Sequence, residues 1–96
     1  MNYNLPLDVT NELKNFFNSF SSISKVAIFG SRARKDNTAK SDIDICIYSK
    51  EMSSQEFREL KYLIDELPIL YKIDVVHFEN IDDKLKKNIL REEQLL

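Results

Sequence analysis

The chain has 96 residues, 43% hydrophobic and 31% charged, with a formal net charge of −2, one glycine, two prolines and one cysteine. That suits a single domain, 1–96, with a real core, and leaves no room for a second domain that recognises a large acceptor. The composition excludes a disordered chain, and no run approaches the roughly 20 apolar residues of a membrane span.

The opening MNYNLPLDVT has no basic segment followed by an apolar one, so no secretory signal is expected. Cys46 alone cannot form an internal disulfide, which predicts a cytoplasmic protein. The charge is uneven: residues 24 to 50 carry six Lys/Arg against three Asp, so a chain too acidic to attract nucleic acid contains a basic loop able to attract a nucleoside triphosphate. A solvated charged loop explains the same charges.

In DVTNELKNFFNSF, Leu13, Phe16, Phe17 and Phe20 draw one apolar stripe on a helix, with Asp8 as its expected N-cap. SKVAIFG is a short strand with Val26 and Ile28 on one face and Ala27 and Phe29 on the other, as a central strand requires. Gly30 ends it. A glycine there lets the backbone turn sharply and lie close to a ligand; Ser31 is placed to cap a short helix from about Arg32, whose free amides favour an anion.

SDIDICIY alternates cleanly, with Ile43, Ile45 and Ile47 on one face and Asp42, Asp44, Cys46 and Tyr48 on the other. The two aspartates leave the same side, about 7 Å apart along the strand. SSQEFRELKYLIDELP is a helix with a Ser53/Glu56 capping box, an apolar face of Phe57, Leu60, Ile64 and Leu67, and Pro68 as its stop. YKIDVVHF is a third strand that sets Asp74 in an apolar run, and Asn80 is the expected cap of a last helix through NIDDKLKKNILREEQLL.

This order predicts an α/β domain: a small mixed sheet of three or slightly more strands, helices packed mainly on the isoleucine face, and a more open aspartate face. Ten residues between Ser31 and Asp42 are too few for a parallel crossover with its helix, so the first two strands are expected to be antiparallel. The link through residues 50 to 70 is long enough to join parallel strands.

Carboxylates held side by side repel, and a divalent cation compensates them; hard oxygen ligands suit magnesium bridging to phosphates. If Asp74 lies beside Asp42 and Asp44, the three share one metal site next to Gly30 and Ser31, an arrangement fit for nucleotidyl transfer. By spacing alone, two aspartates at i and i+2 read equally as an exposed strand end or as partners of Lys40 and Arg34. Arg32 and Arg34 are candidates for neutralising a triphosphate, with a surface role as the plain alternative. His77 and Cys46 read as structural, and the scattered tyrosines make no stacking platform for nucleic acid.

Gly30-Ser31, ten residues, then Asp42-Ile43-Asp44 spell G-S-x10-D-x-D, with GSRAR after the first strand, SDIDI at the aspartates and KIDVV at the third acidic strand. Over roughly residues 8 to 90 this pattern resembles the minimal nucleotidyltransferase (MNT) domains of the polymerase-beta-type nucleotidyltransferase superfamily, and with them the antitoxins of HEPN/MNT toxin-antitoxin pairs. The resemblance implies the nucleotidyltransferase fold, with Gly30 and Ser31 on the nucleotide phosphates, Asp42 and Asp44 on Mg2+, and Asp74 completing the catalytic, metal-binding triad. It implies ATP as substrate and transfer of AMP to a tyrosine of a HEPN ribonuclease toxin, within a hetero-oligomer that touches neither nucleic acid nor membrane directly. Two alternatives remain open: an antitoxin that neutralises by binding alone, and the catalytic subunit of a small-molecule nucleotidyltransferase. The chain departs from the pattern in its glycine-free KDNTAK loop and in ending its last helix on REEQLL, where relatives often break with glycine.

Overall fold

A computed structural model describes residues 5–36, 38 and 41–96; Lys40, counted above in the basic segment, and Tyr3 lie outside them. Helix α1 (Leu7–Asn18) starts about half a turn earlier than a cap at Asp8 would allow. Its first hydrogen bond runs from Thr10 N–H to the Pro6 carbonyl at 3.1 Å. Pro6 therefore takes the N-cap position, and Asp8 sits in the first turn, where its charge faces the positive end of the helix.

Strand β1 (Lys25–Phe29) runs into Gly30 and the four-residue helix α2 (Ser31–Arg34); β2 (Ile43–Tyr48) and α3 (Ser54–Ile64) follow. The Ser53/Glu56 capping box is present, with Glu56 N–H donating to Ser53 Oγ at 3.1 Å. Then come β3 (Ile73–His77), a 3-10 turn over Phe78–Asn80, α4 (Asp83–Glu92) and β4 (Gln94–Leu95). The cap of α4 is Asp82, whose Oδ1 accepts from Leu85 N–H at 2.8 Å; Asn80 lies in the 3-10 turn and spends its amide on His77 Nδ1 at 2.9 Å.

The sheet order is β3-β2-β1-β4, antiparallel between β1 and β2 and parallel between β2 and β3, as loop lengths predict. Strand β4 is an addition. The periodic reading carries the last helix to Leu96, but Glu93 turns extended and Gln94 and Leu95 pair antiparallel with Ile28 and Ala27. They cover the bare edge of β1, which would otherwise expose a row of unpaired amides and carbonyls.

Ile43, Ile45 and Ile47 are fully buried and form one core with Leu13 and Phe17 of α1, Leu60 and Ile64 of α3, Ile28 and Val75. The opposite face is less open than the alternation suggests. Ala27 and Cys46, partners across β1 and β2, are fully buried there, as is Ile89 of α4, and Glu93 just beyond α4 accepts a hydrogen bond from Tyr48 Oη at 2.6 Å. Helix α4 therefore closes the middle of the aspartate face and leaves its Asp44 end open. Among the described residues no helix is long and apolar enough to cross a membrane.

Candidate active site

The chain turns at Gly30 with φ 75° and ψ −154°, a region that only glycine enters without strain. Phe29 stands opposite Asp44 in the sheet, and a Cβ built on Gly30 would overlap Oδ2 of Asp44 and lie 3.2 Å from its Cγ. The single glycine is thus required twice, by backbone angle and by the carboxylate packed against it. Gly30 itself takes the cap position of α2, so Ser31 is the first helical residue and caps nothing with its side chain. Arg34 N–H donates to the Gly30 carbonyl and Asp36 N–H to the Ser31 carbonyl, both at 3.0 Å, which fixes the turn from behind.

Asp44 is directly opposite Asp74 in the parallel register of β2 and β3, and Asp42 stands just ahead of β2. The sheet thus puts the three predicted aspartates at one end. Asp44 is half-buried and Asp74 exposed. Burial, with the charges of Asp74 and Asp42 adding, holds the Asp44 carboxyl above its usual range; Arg34 opposes this and Glu92 reinforces it. Among the described residues no three His, Cys, Asp or Glu side chains are drawn together tightly enough to hold a metal ion as they stand. The donor set nevertheless fits a hard divalent cation: oxygen ligands only, on adjacent strands, with a repulsion that a cation would relieve.

A cleft of about 610 Å³ opens at this end of the sheet. Phe29, Gly30, Ser31, Arg34 and Asp44 form one wall and Leu85, Asn88, Arg91 and Glu92 of α4 the other. Asp74 instead lines a neighbouring hollow with Lys61 and Lys72.

The two candidate arginines separate. Arg34 is exposed at the cleft, with Nε 3.1 Å from Asp36 Oδ2 and Nη1 3.2 Å from Glu92 Oε2, and these carboxylates raise its pKa. Arg32 is 1% exposed; its Nη2 donates to the Ser41 carbonyl at 2.9 Å and its guanidinium lies over the Tyr71 ring. It is absent from the cleft wall and braces the segment entering Asp42, which does not support the expected nucleotide contact.

His77 is buried on the core face, 2.6 Å from the Ser49 carbonyl through Nε2 and in contact with Phe57, which fits its structural reading. Burial, with Glu93 and Glu79 adding, pushes the Cys46 thiol up to about 12, as befits a packing residue. Glu92 is the site residue that sequence reasoning missed. Its Oε1 accepts from Gly30 N–H at 2.9 Å while the same carboxylate pairs with Arg34. Within REEQLL it reads as one more solvated acid, and only the return of the chain through β4 reveals its place.

A search of curated proteins finds no match. Among solved structures, the fold is similar to a protein described as a minimal nucleotidyltransferase, at 21% identity and TM-score 0.75, covering 100% of this chain and 97% of that one. It is also similar to a toxin-antitoxin crystallised with AMP-PNP, at 18% identity and TM-score 0.72, covering 88% of this chain and 69% of that one. A third is from a complex of tri-AMPylated Shewanella oneidensis HEPN toxin with MNT antitoxin, at 18% identity and TM-score 0.63, covering 93% and 71%. Residues 11–96 match the family described as polymerase beta, nucleotidyltransferase. With its glycine-serine turn against a carboxylate-bearing strand pair, the chain belongs to the polymerase beta nucleotidyltransferase family.

Proposed function

We propose that this chain is the antitoxin of a toxin-antitoxin pair and moves AMP from ATP onto a tyrosine hydroxyl of a HEPN-type ribonuclease partner. The observation that carries the chemistry is register: Asp44 faces Asp74 on one side and Phe29, the residue before Gly30, on the other. Support for the partner comes from the similar fold seen with an AMPylated HEPN toxin. The complex is a hetero-oligomer in the cytoplasm.

In this reading Gly30 and Ser31 hold the nucleotide's phosphates through the backbone of their turn, and Arg34 neutralises charge from the rim. Arg32 acts at one remove, by fixing the backbone that carries Asp42. Asp42, Asp44 and Asp74 hold Mg2+, which when bound neutralises the triphosphate and the departing pyrophosphate. The tyrosine oxygen bonds to the α-phosphorus as the bond from that phosphorus to the bridging oxygen breaks, and pyrophosphate leaves. Asp74, the exposed member of the triad, is reachable by the incoming hydroxyl and takes its proton.

The test is to incubate the protein with ATP, Mg2+ and the neighbouring gene product and to weigh that product intact. Adenylyl additions that disappear with Asp42→Ala/Asp44→Ala support the transfer. A partner inhibited yet unmodified would replace it by neutralisation through binding, and modification of a small molecule alone would replace the acceptor class.

A further inference from the structure

The donors assigned above to phosphate already hold an anion that the chain supplies itself. Gly30 N–H donates to Glu92 Oε1 at 2.9 Å, and Arg34 Nη1 lies 3.3 Å from Oε1 and 3.2 Å from Oε2. One carboxylate spans a turn amide and a guanidinium, which is how two oxygens of a phosphate would be held. Glu92 also lines the same cleft as Ser31 and Asp44, so its charge adds to that of the aspartate instead of offsetting it.

The segment that bears Glu92 has other anchors. Glu93 accepts from Tyr48 Oη at 2.6 Å and pairs with Lys25 Nζ at 2.9 Å, Gln94 Nε2 donates to the Ala33 carbonyl at 2.9 Å, and β4 pairs with β1. The side chain of Glu92 can therefore leave the turn without releasing α4.

We propose that Glu92 is an internal competitor for the phosphate site: it closes the Gly30 turn in the nucleotide-free protein, and an arriving triphosphate must displace it. This rests on the reading of Gly30, Ser31 and Arg34 as that site. A competitor and a mere brace predict opposite signs. If the closed form holds about nine-tenths of the molecules, freeing the site tightens apparent affinity about tenfold. A brace, once removed, would loosen the turn and weaken binding.

The experiment is calorimetric titration of the whole chain and of Glu92→Gln with ATP and Mg2+, alongside amide NMR. Gly30 is the only glycine, so its amide resonance is easily assigned. In the wild type that resonance shifts when tripolyphosphate is added; in Glu92→Gln it is already displaced without ligand, and ATP binds about tenfold tighter. Glu92→Ala, which removes the carboxylate outright, takes its place should the glutamine variant fail to fold. Equal or weaker ATP binding by the folded variant, with a wild type that binds, overturns the competitor alone. A Gly30 resonance indifferent to the substitution overturns it as well. Failure of wild type and variant alike to bind ATP overturns the phosphate site and the competitor together.

Discussion

Gly30→Ala is the sharpest perturbation of this site, because two separable costs meet at one Cβ. At φ 75° and ψ −154° an L side chain is strained, which costs about 1–3 kcal/mol. The overlap with the Asp44 carboxylate adds about 1–3 kcal/mol of overpacking. Loss of glycine's freedom in the unfolded chain returns about 0.4–1 kcal/mol. The net is about 3 kcal/mol, or a fall in Tm of roughly 12–24 °C for a domain of this size. Asp44→Ala separates the parts. Only a Cβ then remains at position 44, and Asp44 Cβ is 3.4 Å from the built atom, an ordinary contact. In that background Gly30→Ala should cost at least about 1 kcal/mol less than in the wild type. Urea denaturation of the two single variants and the double variant measures the cycle. Equal costs in both backgrounds would refute the close approach of the carboxylate to the turn, and a cost below about 0.5 kcal/mol in both would refute the strained backbone as well.

Arg32→Lys, which loses the planar contact with Tyr71 and the bond to Ser41, should destabilise the fold by about 2 kcal/mol in thermal denaturation. Arg34→Ala, at an exposed position, should change stability by less than about 0.5 kcal/mol while weakening ATP binding in calorimetry. Tyr48→Phe removes a 2.6 Å bond to Glu93 and should cost about 1 kcal/mol at pH 7.5. Burial, with that bond, raises the Tyr48 phenol above its ordinary 10.0, so the folded chain keeps a proton that the unfolded chain gives up. The Tyr48 contribution to stability therefore falls as pH rises past 10.0, while the raised Cys46 thiol acts alike in both proteins, and urea titrations at pH 7.5 and 10.5 should show the gap to Tyr48→Phe closing. Chelation by EDTA should stop adenylyl transfer in the mass assay and leave the far-ultraviolet dichroism unchanged, because the buried core uses none of the three aspartates.

The strands and their directions were legible because local rules decide them. Alternation in SDIDICIY assigned each residue to a face, and the short link from Ser31 to Asp42 left antiparallel pairing as the practical choice. Two helix starts were misplaced by about half a turn, at Asp8 and at Asn80, because several residues near each start can serve as caps. Selection fell to Pro6, which already receives Thr10 N–H, and to Asp82, which reaches Leu85 N–H. Strand β4 was illegible for a different reason: Gln94 and Leu95 carry no strand signal, and their conformation is set by the free edge of β1. Glu92 was missed along with it, whereas Arg32 was reassigned from ligand contact to brace by its contacts with the Ser41 carbonyl and the Tyr71 ring. A guanidinium beside a glycine-serine turn looks alike in sequence whether it faces the cleft, as at position 34, or the Ser41 carbonyl, as at position 32.

The mixed character of the sheet is what assembles the site. Strand β1 ends where antiparallel β2 begins, so Gly30 follows the partner of Asp44; β3 begins beside the start of parallel β2, so Asp74 meets Asp44 without any further turn. Were β1 parallel to β2, its end would lie at the Tyr48 end of the sheet, roughly 13 Å from Asp44 at about 3.3 Å per residue, and no side chain could link phosphate and aspartate. Parallel pairing with β3 matters as much. Reversing it about the same centre would put Asp74 near Cys46 or Ile47, where Ala27, Cys46 and Ile89 are buried and an unpartnered carboxylate would be costly. The burial of Asp44 beside Asp74 and Asp42, which holds its carboxyl above the usual range, is thus a consequence of the same two pairings that make the cleft, and a chain that relaxed it by changing register would lose the convergence on which the proposed transfer depends.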